Sequence, residues 1–203
     1  MRFLAFVAAL CLMANCCLAA DAPAAEKPKG KEPVSLFDGK TLDGWKIITC
    51  EAEVKDGCIF IKGGNGVVRP ERKFKDYILE LDYKMLKVGQ YDSGVYIRCK
   101  DPDPATKFPW PKVWQINLRF DDEGNIAEFK EAHSKGLTKP NEWNHFKITV
   151  VGTKVELEIN GKPAWKADGL TEPEGYISLQ SEVPGGGQVL FKNITIVELN
   201  DGK

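Results

Sequence analysis

Apolar and polar residues alternate with a period of two over much of the chain after residue 33. Every second residue of the segment 77–85 is large and apolar: Tyr77, Leu79, Leu81, Tyr83 and Met85. The segment 145–151 shows the same alternation at Phe146, Ile148 and Val150. A period of two is typical of a strand with one buried face, because successive side chains point to opposite sides of a sheet.

Turn signals separate these strands. Asp56-Gly57 and Asn160-Gly161 each suit a type I′ hairpin turn, since both residue types accept a positive φ. The run 189–199 predicts a final strand with an irregularity near Lys192-Asn193. About a dozen short strands, with turns every ~8–12 residues, indicate a β-sandwich or barrel. We therefore expect an all-β jelly roll, and the alternation leaves a Greek-key barrel open as the alternative.

The alternating pattern does not extend to the first 33 residues, which we therefore place outside this fold. Residues 1–20 have the form of a secretory signal peptide: Arg2, an apolar run over 4–18, then small residues. The run is short for a bilayer span, so we expect no stable membrane insertion. Residues 21–33 read as a flexible linker and 34–203 as a single domain. The chain is therefore expected to be exported, to the periplasm or the extracellular space.

The cysteines raise two questions: whether the exported chain carries a lipid anchor, and whether the thiols form a disulfide or a metal site. Cys16 follows Met13-Ala14-Asn15, a poor match to a lipobox, which leaves a lipoprotein as a minor alternative. Cys50, Cys58 and Cys99 remain after cleavage, an odd number, and we interpret them as buried thiols. With only two histidines in the chain, a zinc site built from Cys and His is not expected.

Composition excludes one class of partner. The chain carries 28 Lys and Arg residues against 29 Asp and Glu residues, for a net charge of −1. Binding to phosphate backbones needs a basic field, so nucleic acid is not the expected partner.

Polar side chains share one face on three of the predicted strands. In each segment the apolar residues point inward, so the residues between them point outward. The three segments are 93–99, 113–119 and 176–182. Their outward residues include Tyr96, Arg98, Gln115, Asn117, Gln180 and Glu182, and Asp92 lies just before the first segment. If the three strands are neighbours, these side chains form one polar surface.

A loop over 101–112 adds aromatic residues to this surface. It holds Phe108 and Trp110 among four prolines. Aromatic rings bind the C–H faces of sugars, and amides and carboxylates bind sugar hydroxyls, so this combination points to a carbohydrate or glycoside ligand. The alternation by itself also fits, and slightly favours, an ordinary solvated face of a sandwich.

Ordered motifs along the chain resemble the 3-keto-disaccharide hydrolase family. The resemblance begins with Ser-Leu-Phe-Asp-Gly-Lys-Thr-Leu-Asp-Gly-Trp at 35–45 and continues through Asp-Ser-Gly-Val-Tyr-Ile-Arg at 92–98. It includes Trp-Gln-Ile at 114–116 and Leu-Gln-Ser-Glu at 179–182, and it spans the chain after the linker. The resemblance implies a concanavalin A-like jelly roll. It also implies cleavage of glycosides oxidised at C3, by hydrolysis or by a lyase step followed by hydration.

The chain departs from the family pattern at three places. Asp92 stands where the family commonly has Asn, Val113 where it commonly has Glu, and Asn117 or Leu118 where an Asp follows the strand. The missing Glu at Val113 supports a second hypothesis, a non-catalytic carbohydrate-binding module of the same fold. Asp92, Arg98 and Glu182 support catalysis.

The resemblance also suggests roles for the polar residues. Glu182 or Asp92 would be the base, Arg98 would stabilise an enolate oxygen, and Tyr96 would donate a proton to the leaving oxygen. Gln115, Asn117, Gln180 and Trp110 would bind the sugar. A divalent cation, Ca²⁺ or Mg²⁺, could lie between Asp92 and Glu182; otherwise no cofactor is expected.

Overall fold

The computed structural model describes residues 30–183 and 185–199, and its regular structure is entirely β. The predicted signal peptide and the linker up to residue 29 lie outside the described residues. Eleven strands fall within the described part of the chain: β1 Val34–Ser35, β2 Trp45–Lys55, β3 Cys58–Pro70, β4 Tyr77–Met85, β5 Gly94–Cys99, β6 Gln115–Asn117, β7 Asn144–Val151, β8 Lys154–Ile159, β9 Lys162–Asp168, β10 Tyr176–Glu182 and β11 Val189–Glu198. The expected all-β jelly roll is confirmed.

The strands form one antiparallel sheet that curls over into two layers. The order is β6-β5-β10-β3-β11-β4-β7-β8-β9, with β2 paired along β3 and β1 along β11. We call the layer β6-β5-β10 with the second half of β3 the front sheet. The back sheet is the first half of β3 with β11-β4-β7-β8-β9. Closing a sheet over itself in this way buries its inner faces against each other.

Strand β3 belongs to both layers because it bends in the middle. Its residues 59–61 pair with β11 of the back sheet, and its residues 65–68 pair with β10 of the front sheet. The bend falls at Gly63-Gly64, where Gly64 has a φ of 77° and the pairing with β2 shifts register. Glycine permits this conformation because it has no Cβ.

The inner faces carry the core. Val68, Leu179, Val95 and Ile116 are opposite one another across the front sheet, and all are fully buried. Across the back sheet, Leu81 faces Phe146, which faces Ile159, again in a buried row. The alternation read from the sequence in 77–85 is confirmed by strict alternation of burial along β4.

The predicted turns and the predicted irregularity are also present. Asn160 and Gly161 both have a positive φ, as do Asp56 and Gly57. Pairing of β11 with β4 shifts register between Lys192 and Thr195, where Asn193 has a φ of 52°.

Three further observations bear on the predicted boundaries and chemistry. Gly30 and Lys31 already pair with the end of β11, so backbone pairing begins before residue 34. Cys50, Cys58 and Cys99 are free thiols. The described residues contain no helix long and apolar enough to cross a membrane.

Candidate functional site

The outer face of the front sheet carries a linked row of amides and a carboxylate. Tyr96 of β5 is opposite both Ser178 of β10 and Gln115 of β6, so these three strands are neighbours as the sequence argument required. The Gln115 amide donates to Gln180 Oε1 at 2.5 Å, and the Gln180 amide donates to Glu182 Oε2 at 3.0 Å. These bonds fix the orientation of the Glu182 carboxylate.

Gly94 makes the bond between Gln115 and Gln180 possible. These two residues lie on β6 and β10, with β5 between them. A Cβ at Gly94 would lie 2.4 Å from the Gln115 Nε2 atom. The absence of a side chain at this position therefore leaves room for Gln115 to reach across β5.

Glu182 and Asp92 face each other across a small cavity. The cavity has a volume of about 420 Å³ and is lined by Gln90, Tyr91, Asp92, Arg119, Phe120, Glu182 and Gly185. The backbone of the turn after β10 holds the two carboxylate-bearing segments together: Asp92 N–H donates to Gly186 O at 3.0 Å, and Gly186 N–H donates to Glu182 O at 2.5 Å. The cavity thus brings two carboxylates and one guanidinium together.

Burial and mutual repulsion alter the titration of these carboxyls. Burial, followed by the negative charge of Asp92, raises the pKa of Glu182 to about 7, and Arg119 and the Gln180 amide partly oppose the shift. Burial also raises the pKa of Asp92, against the opposing effect of Arg119. Burial raises the pKa of Tyr96, which therefore stays protonated and remains a hydrogen-bond donor at neutral pH. A carboxyl with a pKa near neutrality is suited to accept and return a proton.

Replacing Asp92 with Asn is expected to lower the pKa of Glu182 below its present value of about 7, because the substitution removes a nearby negative charge. The measurement is a ¹³C NMR titration of the Glu182 carboxyl carbon in both proteins. Asp43→Asn is the control, since Asp43 is exposed in the turn before β2 and is not among the groups that shift Glu182. An unchanged titration midpoint in Asp92→Asn would contradict the proximity of the two carboxylates.

The loop 101–112 is tied to the front sheet at both ends. Asp101 accepts two bonds from the buried Arg69 guanidinium, at 2.5 and 2.8 Å, and Arg69 also lies 3.5 Å above the Tyr176 ring. Near the other end, Trp110 Nε1–H donates to Ser181 O at 2.9 Å. Ser181 stands between Gln180 and Glu182, so Trp110 lies next to the amide row.

The structure places Arg98 away from this row, and its predicted position beside Tyr96 is wrong. Its guanidinium is buried and donates to Asp76 Oδ1 at 2.7 Å and to the carbonyl oxygens of Lys75, Gly152 and Glu172. Asp76 and Gly152 belong to the turns at the end of the back sheet. Arg98 therefore joins the two layers, and four of its five N–H donors are already occupied.

A β-bulge explains the error. Cys99 pairs with Tyr176 and Tyr96 with Ser178, so two residues of β5 lie opposite the single residue Ile177. A bulge shifts the side-chain alternation by one position. Cys99, which the alternation placed inward, instead lies on the outer face, with its Sγ atom 3.2 Å from Ser178 Oγ.

Asn117 lies at the edge of the row, but its side chain is committed to a local turn. Its Nδ2 donates to Asp122 Oδ2 at 2.8 Å, and its Oδ1 accepts from the Arg119 backbone at 3.0 Å. This side chain shapes the Arg119 segment, so only Gln115 and Gln180 of the three predicted sugar-binding amides belong to the hydrogen-bonded row.

Sequence reasoning gave no role to two arginines that matter to the site. Arg119 lines the cavity with Asp92 and Glu182, and Arg69 holds the aromatic loop. Arg69 follows the core residue Val68 by one position, so the alternation along β3 contained a signal for its outward direction. The partner Asp101 lies 32 residues away in sequence, and nothing local in the sequence indicates that pairing.

A divalent cation finds few ligands here. Between residues 30 and 199, leaving out Pro184, no three His, Cys, Asp or Glu side chains lie where they could hold a metal ion together. Ca²⁺ and Mg²⁺ usually take six or more oxygen ligands, and the cavity offers two carboxylates beside a guanidinium. We therefore derive no step of the chemistry through a metal.

The sequence comparison decides the family. Residues 32–197 match the model of the 3-keto-alpha-glucoside-1,2-lyase-like domain, which covers most of the chain. The chain belongs to this family. The match includes every strand of the front sheet and all residues of the amide row.

Similarity to an individual curated relative is low and covers only part of the chain. A 3-keto-disaccharide hydrolase of Bacteroides thetaiotaomicron is 29% identical over a match that covers 34% of this chain and 30% of the relative. The match thus spans under a third of that protein's length.

Solved structures confirm the fold. A protein of Parabacteroides distasonis, described as a candidate glycosyl hydrolase, superposes with a TM-score of 0.65 at 21% identity, covering 83% of this chain and all of the other. The carbohydrate-binding module CBM66 of Bacillus subtilis superposes with a TM-score of 0.56 at 15% identity, covering 76% and 96%.

Proposed function

We propose that this protein is an exported enzyme that cleaves 3-keto glycosides by removing the proton on C2, with Glu182 as the base. The observation that carries the proposal is the Glu182 carboxyl, oriented by Gln180 and given a pKa of about 7 by its surroundings. Family membership supports the substrate class, and the signal-peptide pattern of residues 1–20 supports export.

The reaction needs one base, one anion-stabilising group and one acid. A ketone at C3 acidifies the C2 proton, and Glu182 takes that proton while the C2–H electron pair forms an enolate with its charge on the C3 oxygen. The enolate collapses, the C3 carbonyl re-forms, a C1–C2 double bond forms and the C1–O bond breaks. The leaving oxygen takes a proton from Tyr96, and water added across C1–C2 gives the free 3-keto sugar.

Arg119, rather than Arg98, would stabilise the negative charge on the enolate oxygen. Its guanidinium is exposed, lines the cavity with Glu182, and is permanently charged. Its present partner, Asp122, is 3.2 Å away at the surface, an ion pair that a substrate oxygen can displace at little cost. Gln115 and Gln180 would bind the sugar hydroxyls.

A carbohydrate-binding module without turnover is the second candidate. Val113 occupies the place where the family commonly has Glu, which removes one carboxylate from the site. The fold is shared with a carbohydrate-binding module, so fold alone does not separate binding from catalysis.

The deciding experiment incubates the purified protein with α- and β-linked 3-keto-glucosides in D₂O, with and without EDTA, and follows products by mass spectrometry. Enzyme-dependent release of a 3-keto sugar carrying deuterium at C2 is expected, because hydration of the C1–C2 double bond takes its hydrogen from solvent. Release without deuterium would indicate direct hydrolysis, and saturable binding without release would indicate a binding module. Loss of turnover with EDTA would assign a divalent cation to the site.

Replacing Gly94 with Ala is expected to lower kcat/KM by about five- to tenfold while the protein stays folded. The added Cβ would displace the Gln115 amide and break its bond to Gln180, a loss of about 1 kcal/mol. The check is a comparison of kcat/KM and the thermal unfolding midpoint in both proteins. An intact kcat/KM would show that the amide row does not position Glu182.

A further inference from the structure

A second cavity opens along the aromatic loop, between that loop and the end of β5. It has a volume of about 630 Å³, within the usual range for a small-molecule site. Its apolar wall consists of Pro102, Phe108, Trp110, Pro111 and Val113. The proposed reaction at Glu182 does not use this cavity.

Trp110 connects the cavity to the reaction site. Its ring lines the cavity, while its Nε1–H donates to Ser181 O, between Gln180 and Glu182. A ligand with its sugar against the amide row therefore has the second cavity within reach of the group attached at C1. Phe108 stacks on Trp110 with ring centroids 5.5 Å apart, which extends the aromatic surface outward.

The carboxylates and the guanidinium of the wall are already bonded within the protein. Asp101 accepts both of its bonds from Arg69, and Arg98 donates to Asp76 and to backbone carbonyls. Glu172 accepts from the Trp114 indole and the Thr171 hydroxyl. A second sugar would have to compete with these bonds for acceptors, since the polar groups left over are lysine ammonium groups, so an apolar ring fits this wall better.

Lysines line the same cavity. Lys100, Lys107 and Lys112 contribute to it, and the Lys107 ammonium lies 5.2 Å from the centre of the Phe108 ring. Ammonium groups donate hydrogen bonds and interact with aromatic faces. They suit a ring that carries oxygen substituents.

Hydrogen bonds and ring stacking fix the start of the aromatic loop. The Arg69 guanidinium is 2% exposed, binds Asp101 with two parallel bonds and stacks on Tyr176. Bidentate bonds of this kind fix direction as well as distance. Arg69 and Asp101 are positioning residues for the cavity wall, which therefore does not have to be ordered by the ligand.

We propose that this cavity binds the leaving group of the substrate and that it is built for a planar phenolic ring. The inference rests on the proposed function, since it assumes that a glycoside lies against the amide row. It narrows the substrate class to 3-keto glycosides with an aromatic aglycone.

The test compares phenyl and methyl 3-keto-glucosides of the same anomer. Phe108→Leu removes a ring and keeps an apolar side chain, and it is expected to lower the phenyl-to-methyl ratio of kcat/KM by about three- to tenfold. Taking the ratio in each protein cancels the difference in leaving-group chemistry. Phe108→Tyr should keep the wild-type phenyl-to-methyl ratio because it retains the ring.

The matched control is Trp143→Leu. Trp143 also lies beneath a lysine, with Lys192 Nζ 3.9 Å from its ring centre, but it does not line the cavity. Its substitution should leave the ratio unchanged. An unchanged ratio in Phe108→Leu, or an equal fall in Trp143→Leu, would overturn the proposal.

A binding measurement separates this proposal from the proposed function. Calorimetry with the unoxidised phenyl and methyl glucosides needs no turnover, and we expect the phenyl glucoside to bind more tightly to the wild-type protein and to lose that advantage in Phe108→Leu. Absence of turnover with this preference intact would overturn the catalytic function alone. Equal binding of both glucosides would overturn the aromatic site.

Discussion

Replacing Glu182 with Gln is expected to reduce kcat for a 3-keto glycoside by about 10²- to 10⁴-fold, the usual contribution of a general base. Gln has the same shape, and its side-chain oxygen can still accept the bond from the Gln180 amide at the present distance of 3.0 Å. The substitution therefore removes the basicity and leaves the geometry in place. Single-turnover measurements with the wild-type and variant proteins provide the test.

The pH dependence gives a second readout of the same residue. Glu182 must be deprotonated to act as a base, and its pKa is raised to about 7. Turnover of the wild-type protein is therefore expected to rise with pH through about 7 and then level off. In the Asp92→Asn protein the midpoint should fall to lower pH, because the charge that opposes ionisation of Glu182 is gone.

Folding stability supplies the control for Glu182→Gln. A carboxyl with a raised pKa binds its proton more tightly in the folded than in the unfolded protein, so stability falls as pH rises from about 4.5 to about 7. The Gln variant should lack this fall and should be at least as stable as the wild type at pH 8. Unchanged kcat in a folded Gln variant would remove Glu182 as the base.

Replacing Arg98 with Met is expected to lower the free energy of unfolding by about 3–5 kcal/mol, the usual cost of removing one partner from a buried ion pair. The Arg98 side chain is 1% exposed, and its loss would remove the guanidinium that pairs with Asp76, leave that carboxylate with the Gly152 N–H as a donor, and remove the bonds to three backbone carbonyls. Because Arg98 joins the front sheet to turns of the back sheet, the effect should fall on global unfolding. Urea denaturation at pH 7 measures it.

Two comparisons make the Arg98 result specific. Arg119→Met removes an arginine of the same size whose side chain is 57% exposed, and it should change the unfolding free energy by less than about 1 kcal/mol. Adding Asp76→Asn to Arg98→Met should recover part of the loss, since the carboxylate is then no longer left unpaired. A stable Arg98→Met protein without turnover would return Arg98 to the catalytic residues.

The alternation of single residues predicted the strands and most of the polar face. Side chains on a strand alternate strictly, so β4, β7 and the pair Gln180 and Glu182 followed from local pattern alone. The Asn160-Gly161 turn was equally local, because positive φ is a property of those two residue types. The order of motifs along the chain also pointed to the family that the domain match confirms.

Side-chain directions at irregular positions, distant pairings and pKa shifts depended on the tertiary structure and could not be predicted from the local pattern. One bulged residue in β5 reverses the direction of Arg98, since parity along a strand is lost wherever two residues face one. The pairing of Arg69 with Asp101 depends on a loop crossing the sheet, and the raised pKa of Glu182 depends on burial and on Asp92, 90 residues away along the chain. The sequence by itself thus determined which side chains are available and on which strands. Their directions, partners and charges were settled by contacts between distant segments, because burial and electrostatic interaction depend on distance in space.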